Sequence, residues 1–232
     1  MPIPACKLLA FETSGEACSV ALWIDGGLRQ RLASEPRRHA ELVLAMAEEL
    51  LAEAGLRLRE LDTLAFGRGP GSFTGVRIAT AVVQGAAFGG DLPVVPVSTL
   101  AAMAQGALRC YASRASLIAL DARMAQVYWG AYQIDSGENA RLVGQEAVIA
   151  PEHARVPGGD GAAWLGVGSG WSAYAAALTA SADGRLSGIE ANHPCEARDI
   201  ARLAATLFAE GRAVAPEAAV PVYLRDQVTH RR

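Results

Sequence analysis

The stretch from Phe66 to Phe88 constrains the fold most, because a glycine-rich loop leads directly into an apolar helical segment. Glycine alone takes positive φ freely, so this loop is predicted to be tight and irregular. Ser72 and Thr74 are good caps for the first turn of a helix over 74–88, and Gly89-Gly90 ends it. The residues of the predicted glycine-rich loop are Gly67, Gly69, Gly71, Ser72, Thr74 and Gly75.

A glycine loop before a helix can bind phosphate, because free backbone N–H groups and the helix dipole favour an anion. A Walker loop, however, requires Gly-Lys followed by Ser or Thr, and the only lysine is Lys7. The Rossmann fingerprint is matched only loosely from Gly67. The motif therefore favours a structural turn at the end of the Thr63–Phe66 strand, and phosphate binding stays an alternative.

Two predicted helices carry more apolar surface than one sheet face can cover. In 74–88 the long polar side chains, Arg77 and Gln84, share one narrow stripe, and a helix over His39–Ala54 is apolar around about half its circumference. Such surface is buried in the protein's own core or against a partner. The candidate interface residues are His39, Leu42, Val43, Met46, Leu50, Phe73, Arg77, Ile78, Ala81 and Val82.

The order of predicted elements repeats along the chain. The first hundred residues give three antiparallel strands, then helix, strand, helix and strand, and the last strand–helix–strand implies a parallel crossover. A second hairpin begins near Leu117, and the Trp164–Val167 strand again leads through glycines into a helix. Duplication explains this economically. The predicted domains are two lobes, 1–100 and 101–215, and a C-terminal strand and tail, 216–232, that returns to the body.

Composition excludes several classes of protein. The 232 residues carry a net charge of -3, so the chain lacks the overall positive charge that drives unaided nucleic-acid binding. No Cys-x-x-Cys pair is present, which argues against a zinc ribbon, a redox motif and a disulfide framework. The first strand follows the N-terminus without a signal segment, and no long apolar run is seen. A cytoplasmic protein with no membrane contact is predicted. The four cysteines are Cys6, Cys18, Cys110 and Cys195.

Several short motifs together resemble one family. Two lobes that each open with a hairpin are similar to the actin, Hsp70 and sugar-kinase superfamily. Within it the chain resembles the TsaB (YeaZ) family, which is involved in the threonylcarbamoyl modification of tRNA adenosine. The resemblance implies an α/β fold of two similar actin-like (ASKHA, ribonuclease H-like) lobes, each a mixed sheet with flanking helices. The motifs are Phe11-Glu12-Thr13-Ser14, Arg38-His39-Ala40-Glu41-Leu42, Gly69 to Arg77, Asp121 to Tyr128 and Pro221 to Arg225.

This resemblance implies a division of labour between subunits. A TsaD-like paralogue carries the metal and transfers the threonylcarbamoyl group, a TsaE-like ATPase joins it, and the TsaB-like chain is a non-catalytic scaffold. The chain is then expected to bind no cofactor and no metal, to form a homodimer when alone, and to meet tRNA only through the complex. In the catalytic paralogue a helix supplies His-x-x-x-His to the metal, whereas here His39 is followed by Val43 four residues later.

Two catalytic alternatives come from the same superfamily. The first is an ATP-dependent small-molecule kinase or ATPase that uses nucleotide-cleft positions Glu12, Thr13, Ser14 and Asp121. Against it, the first hairpin turn offers Glu-Thr-Ser-Gly where such enzymes usually present Asp-x-Gly, and no lysine is available for phosphate. The second alternative, a metallopeptidase, lacks ligands, because no two of the four histidines are four residues apart.

Overall fold

The computed structural model describes residues 5–34, 38–158 and 163–225. The chain divides into two compact units, and each is built around a five-stranded sheet. No helix among these residues is long and apolar enough to cross a membrane. The helices are α1 (His39–Ala54), α2 (Phe73–Gly90), α3 (Thr99–Tyr111), α4 (Gly170–Ala173), α5 (Ala175–Ser181) and α6 (Ala197–Ala209).

The sheet of the first unit has the order β3-β2-β1-β4-β5. Its first three strands form an antiparallel meander, and β1, β4 and β5 run parallel to one another. Of these parallel strands, β4 and β5 are joined by α2, as the strand–helix–strand pattern predicts. The strands are β1 (Lys7–Glu12), β2 (Cys18–Ile24), β3 (Gly27–Ala33), β4 (Thr63–Gly67) and β5 (Val94–Val97).

Helices cover both faces of this first sheet. One face, with Leu9 and Phe11, packs against α1 and α2 in a shared apolar core. The other face contacts α6, which lies along β1, β2 and β4. Because successive side chains point to opposite faces, a strand covered on both sides must be apolar throughout, and this explains the continuous apolar runs of β1 and β4.

The sheet of the second unit repeats the first. Its order is β10-β9-β6-β7-β8, with β6, β7 and β8 antiparallel and β6, β9 and β10 parallel. Counted along the chain, this is the same arrangement as in the first unit, and it confirms the predicted α/β fold of two similar actin-like lobes. The strands are β6 (Ala115–Arg123), β7 (Gln126–Ile134), β8 (Ala140–Ile149), β9 (Trp164–Val167) and β10 (Leu186–Glu190).

The predicted domain boundaries need correction. The first unit contains the described residues up to Ala102 and also Cys195–Val222, so α6 belongs to it and not to a second lobe over 101–215. The reason is packing: the apolar side of α6 lies on β1, β2 and β4, and the Ala197 N–H donates to Ser19 Oγ at 2.8 Å. The second unit contains the described residues of 103–194 and residues 223–225.

The predicted strand near the C-terminus is not formed. After a short 3-10 helix over Pro216–Ala218, the chain is irregular through 219–223. The Val220 N–H donates to the Ala218 carbonyl at 3.0 Å, and the Val222 N–H donates to the Arg68 carbonyl at 2.9 Å. Pro221 has no N–H to give to a ladder, which disfavours a strand here. Residue 219 does return to the body, because Ala219 is buried in the core of the first unit. Residues 226–232 of the predicted tail lie outside the described residues.

Candidate functional site

The first candidate site is the turn after β1, where Glu12, Thr13 and Ser14 were predicted as degenerate nucleotide-cleft positions. All three side chains are buried. Thr13 Oγ1 donates to the Gly75 carbonyl at 2.6 Å, and the hydroxyls of Ser14 and Thr99 lie 3.3 Å apart. The structure therefore brings these residues together, with their polar atoms bonded to groups of their own unit.

The carboxyl group of Glu12 is the most buried acid of this turn. One oxygen accepts the Ser14 N–H, and the other accepts the Cys195 thiol, whose Sγ lies 3.4 Å away. Burial raises the pKa of Glu12, and the hydrogen bonds from Ser14 and Cys195 and the charge of His39 only partly offset this. Burial, followed by the nearby Glu12, also raises the pKa of Cys195 well above its usual value. Burial thus makes this carboxyl easier to protonate than an exposed glutamate.

The glycine-rich loop packs directly on this turn. A β-carbon at Gly67 would overlap the Glu12 carboxylate, and one at Gly75 would overlap the Thr13 carbonyl. A β-carbon at Gly71 would lie 2.8 Å from the Ser14 β-carbon. Of the loop glycines, only Gly69 has positive φ, at +95°. The predicted reason for these glycines is therefore corrected: most serve close approach to the turn and not a left-handed backbone.

The start of α2 confirms Ser72, one of the two predicted caps. Ser72 is its N-cap, and the side-chain oxygen accepts the Gly75 N–H at 3.4 Å, whereas Thr74 lies inside the first turn and is exposed. The Ser72 N–H donates to the Ser14 carbonyl at 2.9 Å. The N–H of the N-cap residue thus holds the turn after β1 against the loop.

The fourth cleft position, Asp121, lies in the second unit near the end of β6. Its carboxylate pairs with the Arg123 guanidinium at 3.1 Å, accepts the Arg123 N–H at 2.8 Å and accepts the Tyr174 hydroxyl at 3.2 Å. The Ser169 hydroxyl oxygen accepts the Asp121 N–H at 3.1 Å. Asp121 is therefore engaged within its own unit, separately from the Glu12 cluster.

The second candidate site is the pair of helices α1 and α2. Val43, Met46 and Leu50 were predicted as interface residues, but all three are buried in the core of the first unit. They recur at the i, i+3 and i+7 positions that face the sheet, which accounts for their burial. The prediction of a partly uncovered patch is wrong for these three. Leu42, Ile78 and Val82 are partly buried against the same core.

The exposed side of α2 is a separate stripe, here called the α2 stripe. Phe73 is 67% exposed and Phe88 is 63% exposed, and only small exposed residues and Arg77 stand between them on this side. The Arg77 guanidinium lies 3.2 Å from the centre of the Phe73 ring. At 100° per residue the stripe occupies about a third of the helix circumference. Its residues are Phe73, Arg77, Ala81, Gly85 and Phe88.

Sequence reasoning missed two exposed apolar side chains. Leu44 of α1 is 51% exposed, and Phe88 lies at the far end of the α2 stripe. The signal for Leu44 was present in the sequence, because an apolar face as wide as that of α1 must leave one side uncovered. The sequence does not say which side the sheet covers, so Leu44 and Val43 could not be told apart.

His39, at the start of α1, was the position compared with the metal-binding histidines of the paralogue. Its ring Nε2 lies 3.1 Å from the Glu16 carbonyl oxygen. Within residues 5–34, 38–158 and 163–225, no group of three or more His, Cys, Asp or Glu side chains is placed to hold a metal ion.

The protein is thus of the α/β class and consists of two actin-like lobes. Each lobe is built on one of the two repeated sheets. Residues 23–231 match the family described as TsaD: tRNA N6-adenosine threonylcarbamoyltransferase. The "tRNA threonylcarbamoyladenosine biosynthesis protein TsaB" of Escherichia coli is 43% identical, over 97% of both chains. That of Haemophilus influenzae is 39% identical, over 97% of this chain and 96% of its own.

Solved structures agree with these relatives. The structure described as YeaZ from Pseudomonas aeruginosa is 46% identical and has a TM-score of 0.88, with 94% of this chain and 100% of that chain covered. The chain belongs to the TsaB (YeaZ) family.

Proposed function

We propose that this chain is the non-catalytic scaffold subunit in the threonylcarbamoyl modification of tRNA adenosine next to the anticodon. It binds and activates a TsaD-like catalytic paralogue, together with a TsaE-like ATPase, and meets tRNA only through that complex. The observation that carries the proposal is the exposed α2 stripe, next to a strand turn whose polar groups are bonded internally. The names of the relatives supply the modification itself.

The shape of the α2 stripe suits a second helix. Ala81 and Gly85 in its middle let another backbone approach closely, and Phe73 and Phe88 at its ends offer large apolar surfaces. A continuous exposed apolar surface on a folded protein marks an association site. Leu44 adds an exposed apolar side chain from the neighbouring α1.

A partner built on the same fold can present the same pair of helices. We infer that the TsaD-like paralogue does so, and that without it the α2 stripe pairs with the stripe of a second copy in a two-fold homodimer. Both associations would use one surface, so the paralogue and the second copy compete.

The closed turn supports a non-catalytic role. A phosphate group needs free N–H donors at the loop, but here Ser72 N–H bonds to Ser14 and Glu12 fills the space beside Gly67. A kinase also needs an accessible carboxylate that holds Mg²⁺, whereas Glu12 is buried and both of its carboxyl oxygens already accept hydrogen bonds. No observation favours the kinase or ATPase alternative.

The test is a charge in the middle of the α2 stripe. Ala81→Asp should remain folded, because Ala81 is exposed, but should lose both the homodimer and the paralogue complex in size-exclusion and pull-down experiments. Removing a carboxylate from water in such a contact costs several kcal/mol, which is about a hundredfold or more in affinity. The matched control, Ala176→Asp on an exposed position of α5, should associate normally. Full association of a folded Ala81→Asp would place the interface elsewhere.

A further inference from the structure

The turn between β6 and β7 has an unusual backbone. Arg123 pairs with Gln126 across the hairpin, so Met124 and Ala125 form a two-residue loop. Arg123, Met124 and Ala125 have φ of +63°, +55° and +54°. A two-residue hairpin loop with positive φ at both positions is a type I′ turn, which prefers Asn-Gly. Here three successive non-glycine residues take that conformation instead.

Such a backbone persists only where its surroundings hold it. Some of the contacts that stabilise this turn are local, because Asp121 accepts the Arg123 N–H and pairs with the Arg123 guanidinium. Met124 and Ala125, at the tip, are exposed, and Met124 is 81% exposed. The side chains of the tip therefore do not themselves pack the turn into a core.

Arg225, about a hundred residues later in the chain, supplies further stabilising contacts to the turn. Its Nη2 donates to the Ala122 carbonyl at 2.6 Å, to Gln126 Oε1 at 3.3 Å and to the Arg123 carbonyl at 3.5 Å. Its Nη1 lies 3.1 Å from the Met124 sulfur. One guanidinium thus reaches both sides and the tip of the turn through its two terminal nitrogens, a spread that a single ammonium nitrogen does not have.

We propose that Arg225 is a strap that holds the β6–β7 turn in its strained form and fixes the exposed Met124. Residues 223–225 and this turn, which belong to the same unit, are then one conformational element. A molecule that displaces Arg225 also releases Met124, and one that binds the turn in its present form also retains Arg225. The strap is independent of the proposed scaffold role.

Methionine methyl signals in ¹³C-labelled protein report on the strap directly. The chain has four methionines, and Met46 and Met103 are buried and serve as internal references. Arg225→Ala should move the Met124 signal to the position and sharpness of a free methionine, with both references unchanged. It should also speed hydrogen exchange at the Gln126 amide by on the order of tenfold, because the turn opens locally. An unmoved Met124 signal would overturn the strap.

Two further variants test whether the shape of the Arg225 guanidinium matters or only its positive charge. Arg225→Lys keeps the positive charge but cannot reach all the acceptors, so it should release Met124 as Arg225→Ala does. Arg59→Ala removes an exposed arginine of the first unit and should leave the Met124 signal in place. If Arg225→Ala also moves the two references, Arg225→Lys decides, and a wild-type Met124 signal in that variant would rule out the strap.

A glycine substitution in the turn tests whether Arg225 stabilises the turn against backbone strain. Ala125→Gly accepts positive φ without cost at one of the three strained positions, so in this background the turn should depend less on Arg225. Arg225→Ala should then change Gln126 exchange by a markedly smaller factor than in the wild type. Equal factors in the two backgrounds would mean that Arg225 holds no strain, and the proposal would fall.

Discussion

The carboxylate of Glu12 occupies the space that a side chain at Gly67 would need. A residue predicted as part of a nucleotide cleft is thus an internal packing partner of the glycine-rich loop. A larger residue at position 67 therefore requires the Glu12 side chain to move.

The first prediction is that Gly67→Ala destabilises the first unit. Its methyl group must displace a fully buried carboxyl that is bonded on both oxygens, and overpacking of this kind costs about 1–3 kcal/mol. Thermal unfolding should show a lower midpoint. Gly89→Ala is the matched control, since a β-carbon there meets nothing within 4 Å and alanine suits a helix better. A midpoint for Gly67→Ala as high as the control's would contradict the packing described.

The second prediction concerns the pH dependence of stability. The pKa of Glu12 is raised in the folded protein, chiefly by burial, above an unfolded value of about 4.3. Between these two values the folded state binds more protons, so the free energy of unfolding falls as pH rises. This contribution is fully present below the unfolded pKa and lost as pH passes the folded pKa.

Glu12→Gln removes that titration, because glutamine has nearly the shape of the neutral carboxyl and no charge. Unfolding midpoints measured from pH 4 upward should fall less for the variant than for the wild type. Parallel curves for the two proteins would show that Glu12 does not titrate differently on folding.

The third prediction concerns ATP. Titration calorimetry of the purified chain with ATP and magnesium should give no binding heat, and ATP hydrolysis should equal the background, because the turn after β1 is closed by its own hydrogen bonds. Glu12→Ala and Asp121→Ala should leave that background unchanged. A turnover that either substitution abolishes would support the kinase alternative.

Much of the fold could be predicted from the sequence, because period and turn residues act locally. The α1 helix ends at Gly55, whose φ of +66° is the left-handed cap that glycine favours. The assignment of α6 failed, since an apolar helix face does not say which sheet it covers. The β10 strand was missed because Leu186–Glu190 is short and is interrupted by Gly188.

The candidate site was less predictable, because it depends on contacts between distant residues. In the sequence, Glu12 is followed by Thr13 and Ser14, and three adjacent polar residues after a strand indicate a polar site. Its burial follows only from Gly67 and from Cys195, which is 183 residues away in the chain. The excess apolar surface of α1 and α2 was visible, but its exposed side depends on how each helix sits on the sheet.

The last prediction compares an aspartate introduced into α1 with one introduced into α2. Met46 is buried in the first-unit core, whereas Ala81 is exposed on the α2 stripe. Met46→Asp should therefore unfold the first unit, because a carboxylate without a partner in an apolar core costs several kcal/mol. Ala81→Asp should keep the circular dichroism spectrum and unfolding midpoint of the wild type and lose only association. A folded Met46→Asp that fails to associate would return Met46 to the interface and show that α1 faces the partner and not the sheet.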